Sequence, residues 1–237
     1  MQGSRAPKPT VMPIDRKAWL DKGLHLSNFA NSYHQYRDVR KWVGERPRIL
    51  VIGPGQGLDT AVFRWIGCEV TTLDIDATFQ PDVIGSCHKM PMFADGQFDA
   101  VIASHVLEHL AVPYLDSTLA EIARVGRYAL LYLPVAGRHL QLRFAPGILG
   151  VDWQIVVDFF RYWERPDGIN PRYCQGQHFW EVGRPGFRVS DLCRRFQHDF
   201  ELLDSYRNTE WIPSYNFVLK SRRNATAEQV RSSSAHR

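Results

Sequence analysis

The stretch that decides the fold is Val51-Ile-Gly-Pro-Gly-Gln-Gly-Leu-Asp-Thr60. It overlaps the apolar run Ile49–Ile52, which predicts a short buried strand. In α/β proteins, a glycine-rich turn directly after a strand is where the backbone can approach a cofactor closely. We therefore predict a strand, a cofactor-binding turn and a helix over Asp59–Ile66, which Gly67 ends.

Strand-like and helix-like segments alternate along the next part of the chain. The further predicted strands are Val70–Leu73, Asp82–Ile84, Phe98–Ala103 and Tyr128–Leu133. The segment Asp116–Val125 has one apolar face and is predicted to be a helix that packs on a sheet. Two later runs, Phe200–Tyr206 and Asn216–Lys220, resemble a hairpin. This alternation indicates βαβ units with a mostly parallel sheet, so the predicted fold class is α/β.

The chain divides into one domain between two polar ends. Residues 1–13 and 222–237 are polar, small or Pro-rich and are predicted to be disordered. Within the single domain, 14–221, we distinguish a helical N-terminal cap, a cofactor-binding core, an inserted substrate-side lobe and a C-terminal hairpin, with the bounds 14–46, 47–137, 138–195 and 196–221. The lobe is rich in aromatic residues with arginines among them, which predicts either additional core or a lid over a ligand.

Composition and charge narrow the class of protein. The apolar fraction of 44% and the charged fraction of 23% are typical of soluble globular proteins, and a net charge of +4 is too mild to indicate nucleic acid. The first residues lack the apolar core of a signal peptide, and no run reaches the roughly eighteen uncharged apolar residues of a membrane helix. The cysteines show no C-x-x-C pair and no metal-ligand spacing: Cys68, Cys87, Cys174 and Cys193. We therefore expect a cytoplasmic protein with reduced thiols and no membrane partner.

The glycine spacing and one aspartate narrow the choice of cofactor. Gly53, Gly55 and Gly57 are spaced G-x-G-x-G, whereas the dinucleotide fingerprint is G-x-G-x-x-G and would need glycine in place of Leu58. The Walker pattern is missing as well, since no Lys-Ser or Lys-Thr follows. The second predicted strand ends in Asp74, whose carboxylate can accept hydrogen bonds from both hydroxyls of a ribose. The combination favours a nucleoside-bearing cofactor, and a purely structural turn is the alternative.

The run Arg48 to Pro134 resembles the catalytic core of class I S-adenosylmethionine-dependent methyltransferases of the broad small-molecule type. Four landmarks carry the resemblance in the family's order: Val51-Ile-Gly-Pro-Gly-Gln-Gly57, Thr72-Leu-Asp74, Met90-Pro-Met92 followed by Phe98-Asp-Ala-Val-Ile-Ala-Ser-His105, and Val106-Leu-Glu-His-Leu110. The resemblance implies S-adenosyl-L-methionine as cofactor. It also implies a Rossmann-like, doubly wound sheet of seven mostly parallel strands with an antiparallel last strand.

The resemblance further implies a set of cofactor-binding residues. They are Gly53, Gly55, Gly57, Asp74, Ser86, Cys87 and Ser104. The glycines would line the methionine and ribose portions of the cofactor, and the aspartate would hold the ribose hydroxyls. Ser86 stands where the family commonly has an acidic residue that binds the adenine amino group. A hydroxyl can accept one hydrogen bond and the Cys87 N–H can donate to the ring, so we expect weaker adenine recognition.

Two histidines are candidates for catalysis. Methyl transfer from a sulfonium requires alignment of the nucleophile and exclusion of water, and a hydroxyl acceptor benefits from a general base such as histidine. His105 lies just beyond the fourth predicted strand, at the edge where open α/β sheets bind ligands, although it could instead form a wall of the cofactor pocket. His178 lies in the aromatic lobe beside Phe179 and Trp180, where the alternative is a hydrogen-bonded core histidine.

The triplet Leu107-Glu-His109 raises the question of a metal. Its Glu108–His109 pair is similar to the ligand pair used by some metal-dependent members of the family. The same triplet is also frequent in relatives without metal, where it packs and caps. We therefore expect no metal here.

The sequence thus favours a methyltransferase that acts on a small-molecule acceptor, with oxygen slightly preferred over nitrogen or carbon. An RNA methyltransferase is one alternative, although we find no appended RNA-binding module and no dense basic stripe, so nucleic acid is not expected as a partner. A non-catalytic relative that binds the cofactor or a partner protein is another alternative. A dinucleotide oxidoreductase is disfavoured by the glycine spacing. The oligomeric state stays open.

Overall fold

The computed structural model describes residues 25–144, 153–159 and 177–223. The predicted disordered N-terminus, the start of the cap, much of the lobe and nearly all of the C-terminal tail lie outside these residues. The described strands are β1 (Arg48–Ile52), β2 (Glu69–Asp74), β3 (Val83–Ile84), β4 (Phe98–Ser104), β5 (Gly126–Pro134), β6 (Arg138–Phe144), β7 (Trp153–Phe159), β8 (Phe200–Arg207) and β9 (Ser214–Ser221). The described helices are α1 (Leu26–Asp38), α2 (Leu58–Trp65), α3 (Leu115–Val125) and α4 (Val189–Phe196), with a π-helical turn over Val39–Val43 and 3₁₀ turns over Ala77–Phe79, Leu107–His109 and Val112–Tyr114.

The main sheet has seven strands in the order β3-β2-β1-β4-β5-β9-β8. Strands β1 to β5 pair in parallel, and β9 lies antiparallel between β5 and β8. This arrangement confirms the predicted α/β sheet with its antiparallel last strand and its C-terminal hairpin. The strand order reverses between β1 and β4, and a crevice at such a point is where open α/β sheets hold ligands.

The apolar runs of the sequence form the interior on both faces of the sheet. Ile49, Leu50, Val51 and Ile52 are all buried because β1 has packed side chains above and below it. On one face, the core includes Leu119 and Ile122 of α3 together with Leu192 and Phe196 of α4. On the other face, Phe63 of α2 packs with Val39 and Tyr132. The sheet is therefore covered by helices on both sides, as the alternating pattern predicts.

Helix α1 is attached to the sheet by buried polar contacts. The hydroxyl of Tyr132 on β5 donates a hydrogen bond of 2.9 Å to Asp38, and the hydroxyl of Tyr206 on β8 donates to the same carboxylate oxygen. Nearer the N-terminus of the helix, Asn31 accepts a 3.0 Å hydrogen bond from the side chain of Asn208. These contacts fix α1 across the end of the sheet where the parallel strands finish.

The described residues of the predicted inserted lobe belong to two different parts of the structure. Strands β6 and β7 form a separate two-stranded antiparallel hairpin that the sequence did not predict. Farther along, Trp180 stacks on Phe187 at 5.0 Å between ring centroids, and both rings belong to the main core. Residues 177–195 therefore supply core and the helix α4 as well as residues near the ligand edge. Within the described parts of the chain, no helix is both long and apolar enough to cross a membrane.

Candidate active site

A cavity of about 1070 Å³ lies at the edge where the parallel strands end, with α1 along one side. All residues predicted from the sequence as cofactor-binding or catalytic line it: Gly53, Gly55, Gly57, Asp74, Ser86, Cys87, Ser104, His105 and His178. Parallel strands deliver the residues at their carboxyl ends to one edge of a sheet, which is why segments far apart in sequence meet here.

The glycine turn after β1 needs glycine for two different reasons. Gly53, Gly55 and Gly57 have φ values of +65°, +53° and +78°, in the left-handed region that favours glycine. A Cβ atom at Gly53 would lie 2.4 Å from Cγ2 of Val106, so this position is closed by packing. At Gly57, no described atom lies within 4 Å of such a Cβ, so the backbone there is open to the cavity.

Asp74 ends β2 and presents its carboxylate to the cavity. Its Oδ1 atom accepts a 2.9 Å hydrogen bond from the N–H of Asp76, which orients the group. Burial, opposed by this hydrogen bond, raises the pKa of Asp74 above its usual value. A partly desolvated, oriented carboxylate is suited to accept hydrogen bonds from ligand hydroxyls.

Ser86 and Cys87 line the neighbouring part of the cavity, after β3. The Ser86 hydroxyl lies 2.6 Å from Nδ1 of His88. When that hydroxyl donates to His88, the lone pairs of its oxygen still accept a hydrogen bond from a ligand. Burial raises the pKa of the Cys87 thiol to about 11. Phe79, which the sequence did not single out, lines the cavity nearby and offers an aromatic face.

Polar residues of α1 and α2 also line the cavity, and the sequence analysis missed them. Asn31 and Gln35 reach it from α1, and Asp59 reaches it from the first turn of α2. Burial raises the pKa of Asp59 to about 6, although hydrogen bonds from Thr60 and Gln35 oppose the shift. The position of Asp59 just after the glycine turn could have identified it as a cavity residue. No local sequence pattern indicates that α1 lies against the cavity.

At the β4–β5 end of the cavity, three histidines surround Glu108. This glutamate lies in the 3₁₀ turn Leu107–His109 after β4 and is completely buried. Its Oε1 atom is 3.7 Å from Nδ1 of His105, 3.8 Å from Nε2 of His178 and 3.9 Å from Nε2 of His109. Neither oxygen of Glu108 has a hydrogen-bond partner among the described residues.

Each of these histidines is held in place by a second contact. The Nδ1 atom of His178 lies 2.8 Å from Oε1 of Glu181, and the guanidinium of Arg184 donates to the other oxygen of Glu181. The Nδ1 atom of His109 lies 3.0 Å from the carbonyl oxygen of Gln177.

His105 is held differently. Its Nε2 lies 3.2 Å from the Ser214 hydroxyl, and its backbone has a φ of +54°, which is unusual for a residue other than glycine.

Burial controls the charge of this cluster. It lowers the pKa of His105 to about 3 and that of His109 to about 4, and His178 contributes to both shifts. Burial also raises the pKa of Glu108 to about 7. Within the described residues, Glu108, His109 and His178 form the one group whose ligand atoms all lie within 4.8 Å of one another, as a metal site would require. Neutral imidazoles can act either as proton acceptors or as metal ligands.

A family model matches the first half of the sheet. Residues 50–128 match the model described as a methyltransferase domain. These residues run from β1 to the start of β5 and include the glycine turn, Asp74 and the histidine–glutamate turn. No curated protein matches the chain in sequence.

Solved structures share the fold over most of the chain. One is the Burkholderia thailandensis 1,6-didemethyltoxoflavin-N1-methyltransferase with bound 1,6-didemethyltoxoflavin and S-adenosylhomocysteine, at 17% identity and a TM-score of 0.52, covering 91% of this chain and 93% of that one. A second is the glycopeptide N-methyltransferase MtfA complexed with sinefungin, at 12% identity and a TM-score of 0.51, covering 79% and 92%. A third is the methyltransferase in the Haloferax volcanii complex with the Trm112 methyltransferase activator, at 14% identity and a TM-score of 0.56, covering 89% and 99%.

Proposed function

We propose that this chain, which belongs to the class I S-adenosylmethionine-dependent methyltransferases, transfers a methyl group to a small organic acceptor, with oxygen preferred over nitrogen or carbon. The observation that carries the proposal is the composition of the cavity wall. The described residues that line the cavity include five carboxylates but no lysine or arginine: Asp59, Asp74, Asp76, Glu108 and Glu181. A nucleic-acid acceptor needs cationic side chains against its phosphates, so this wall favours a small acceptor without phosphate groups.

The residues at the β1–β3 end of the cavity fit the cofactor. Gly57 leaves an open backbone where a side chain would otherwise stand, and Asp74 offers an oriented carboxylate for the ribose hydroxyls. Ser86 and the N–H of Cys87 would hold the adenine, and the glycine turn would line the methionine portion. When bound, S-adenosylmethionine supplies an electrophilic methyl group on a sulfonium centre. The protein's part is to hold both partners in line and to exclude water.

The opposite end of the cavity is where we place the acceptor. The cavity of about 1070 Å³ is at the upper end of what one drug-sized ligand occupies, and it continues past the cofactor residues to the histidines around Glu108. Of the two histidines predicted as catalytic, we propose His105 as the proton acceptor, because it follows β4 directly and, with a pKa lowered to about 3, is neutral at pH 7. So weak a base accepts the proton only as methylation makes the acceptor oxygen strongly acidic. His178 uses Nδ1 to bind Glu181 and directs Nε2 towards Glu108. An acceptor hydroxyl is the group that gains most from such a base.

The first experiment tests the cofactor. Melting temperatures are measured with S-adenosylhomocysteine, NAD or NADP on the wild type, Asp74→Ala and the control Asp116→Ala, whose side chain is 75% exposed in a surface ion pair. Ligand at 100 times its dissociation constant adds about 2.7 kcal/mol, which corresponds to roughly 5–10 °C for a chain of this size. We expect S-adenosylhomocysteine, but neither NAD nor NADP, to raise the melting temperature of the wild type and of Asp116→Ala. Asp74→Ala should show no such increase. The proposal fails if S-adenosylhomocysteine produces no shift.

The second experiment tests the acceptor. Formation of S-adenosylhomocysteine is measured with phenols, catechols, hydroxy acids, amines and total RNA as acceptors. Turnover with a small hydroxyl compound supports the proposal. Turnover with RNA alone would establish the RNA methyltransferase instead, and cofactor binding without turnover on any acceptor would favour a binding protein. The cytoplasmic location expected from the sequence stays a prediction.

A further inference from the structure

We propose that Glu108, His109 and His178 form a binding site for a divalent transition-metal ion at the acceptor end of the cavity. This site replaces the expectation of no metal that we drew from the Leu107-Glu-His109 triplet. That expectation rested on the triplet alone, whereas the third ligand comes from a distant segment of the chain.

The positions of the donor atoms suit a single ion. The group offers one carboxylate oxygen and two imidazole nitrogens, all within 4.8 Å of one another. Oε1 of Glu108 lies 3.8 Å from Nε2 of His178 and 3.9 Å from Nε2 of His109. Ligands at about 2.0–2.2 Å from a common ion are roughly 3–4 Å apart. Binding therefore requires only small inward movements of these side chains.

Glu108 supplies an independent argument. It is completely buried, and neither of its oxygens accepts or donates a hydrogen bond within the described residues. A buried carboxyl group without partners is strongly unfavourable and is rare in folded proteins. A cation at this place would satisfy it. A neutral carboxylic acid or a trapped water would also reduce the cost, and titration with metal ions separates these cases from a cation site.

The outer contacts of the two histidines orient both rings towards the same place. Nδ1–H of His178 donates to Glu181, which Arg184 holds in turn, and Nδ1–H of His109 donates to the Gln177 carbonyl. The Nε2 atoms of both rings lie towards the same carboxylate oxygen, Oε1 of Glu108, at 3.8 Å for His178 and 3.9 Å for His109. Histidines held by carboxylate or carbonyl acceptors in this way are characteristic of metal ligands.

The donor set selects the class of ion. Two imidazoles with one carboxylate suit Zn²⁺ and its transition-metal neighbours, whereas Mg²⁺ and Ca²⁺ prefer oxygen ligands. Three protein ligands leave at least one coordination position open towards the cavity. On the proposed function, that position would take the acceptor oxygen, and the ion would favour its deprotonated form. Metal binding itself does not depend on that use.

The test measures metal binding without cofactor or acceptor. The full-length chain is stripped with EDTA and titrated with Zn²⁺ in a calorimeter, with Co²⁺ by visible absorption, and with Mg²⁺ for comparison. We compare the wild type with Glu108→Gln, His178→Ala and Glu181→Gln. The matched control is His198→Ala, which removes a histidine that is 81% exposed.

We expect one Zn²⁺ or Co²⁺ per chain in the wild type and in His198→Ala, with no comparable binding of Mg²⁺. Glu108→Gln and His178→Ala should lose the site, and Glu181→Gln should weaken it about 10- to 100-fold because it removes an outer contact. The melting temperature of metal-free Glu108→Gln should match or exceed that of the wild type, which shows that this variant folds.

Absence of stoichiometric Zn²⁺ and Co²⁺ binding in the wild type would overturn the proposal, and so would equal affinity in the wild type and the cluster variants. The two proposals can fail separately. Metal binding without methyl transfer would count against the acceptor proposal alone. Methyl transfer by a chain that binds no metal would count against the metal site alone.

Discussion

Replacing Gly53 by alanine adds one methyl group at a place where the structure leaves no room. The backbone there has a φ of +65°, and the new Cβ would lie 2.4 Å from Cγ2 of Val106. An alanine in the left-handed region costs about 1–2 kcal/mol. Forcing a methyl group into a packed contact costs a further 1–3 kcal/mol or so. We therefore expect Gly53→Ala to lower the free energy of unfolding by about 2–5 kcal/mol.

Gly57 provides a matched control four positions away. Its φ is +78°, so alanine there incurs the same backbone cost, but no described atom lies within 4 Å of the added Cβ. Gly57→Ala should therefore lose only about 1–2 kcal/mol. Because its methyl group would project into the cavity, this variant should also bind S-adenosylhomocysteine more weakly than the wild type does. The two substitutions thus separate a packing role from a binding role within one turn.

The double variant Gly53→Ala with Val106→Ala tests the contact directly. Removing the two Cγ atoms of Val106 removes the overlap, so the double variant should be more stable than the sum of the single changes by at least about 1 kcal/mol. Urea unfolding of the four variants and the wild type measures these differences, and calorimetry measures S-adenosylhomocysteine binding. If Gly53→Ala and Gly57→Ala were equally unstable, or if the double variant showed no coupling, the steric reasoning would be refuted.

Three further predictions concern other parts of the cavity. Asp74→Asn should weaken S-adenosylhomocysteine binding at least about tenfold by calorimetry, because a hydrogen bond to a charged group contributes about 1.5–3 kcal/mol. Cys87 should resist alkylation by iodoacetamide at pH 8, as followed by mass spectrometry, because burial raises its pKa to about 11 and the thiolate is the reactive form. Asp59 has a pKa of about 6 in the folded chain against a usual 3.8, so the folded state binds this proton more tightly than the unfolded state does. The free energy of unfolding should therefore fall as the pH rises from 4 to 6. Asp59→Asn should therefore be more stable than the wild type at pH 8, by up to about 3 kcal/mol, and lose this advantage near pH 4.

The outcomes that would contradict these predictions are specific. Unchanged affinity in Asp74→Asn would mean that the carboxylate does not hold the cofactor. Rapid labelling of Cys87 at pH 8 in the folded chain would mean that the cavity wall opens there. A constant stability difference between Asp59→Asn and the wild type from pH 4 to pH 8 would mean that the Asp59 carboxylate is well solvated.

The sequence by itself determined the first half of the sheet and most of the residues that line the β1–β3 end of the cavity. Strands β1, β4 and β5 contain short apolar runs, and helix α3 has a continuous apolar face, so local periodicity was sufficient to predict them. The glycine turn and Asp74 follow directly after strands. Because parallel strands place such residues at one edge, their meeting in the cavity followed from the strand prediction.

The tertiary structure alone decided the contacts between distant segments. Val106 packs against Gly53, and Nε2 of His178 lies near Glu108. Helix α1 places Gln35 in the wall of the cavity. No local sequence pattern relates the members of these pairs. Helix α4 and the β6–β7 hairpin were missed because arginines and dense aromatic residues obscure their periodicity. Periodicity reports which face of an element is buried, whereas the partner it meets is set by the packing of the whole sheet. For this reason the glutamate and histidines at the β4–β5 end of the cavity could be named from the sequence, but their assembly into one cluster could be seen only in the folded chain.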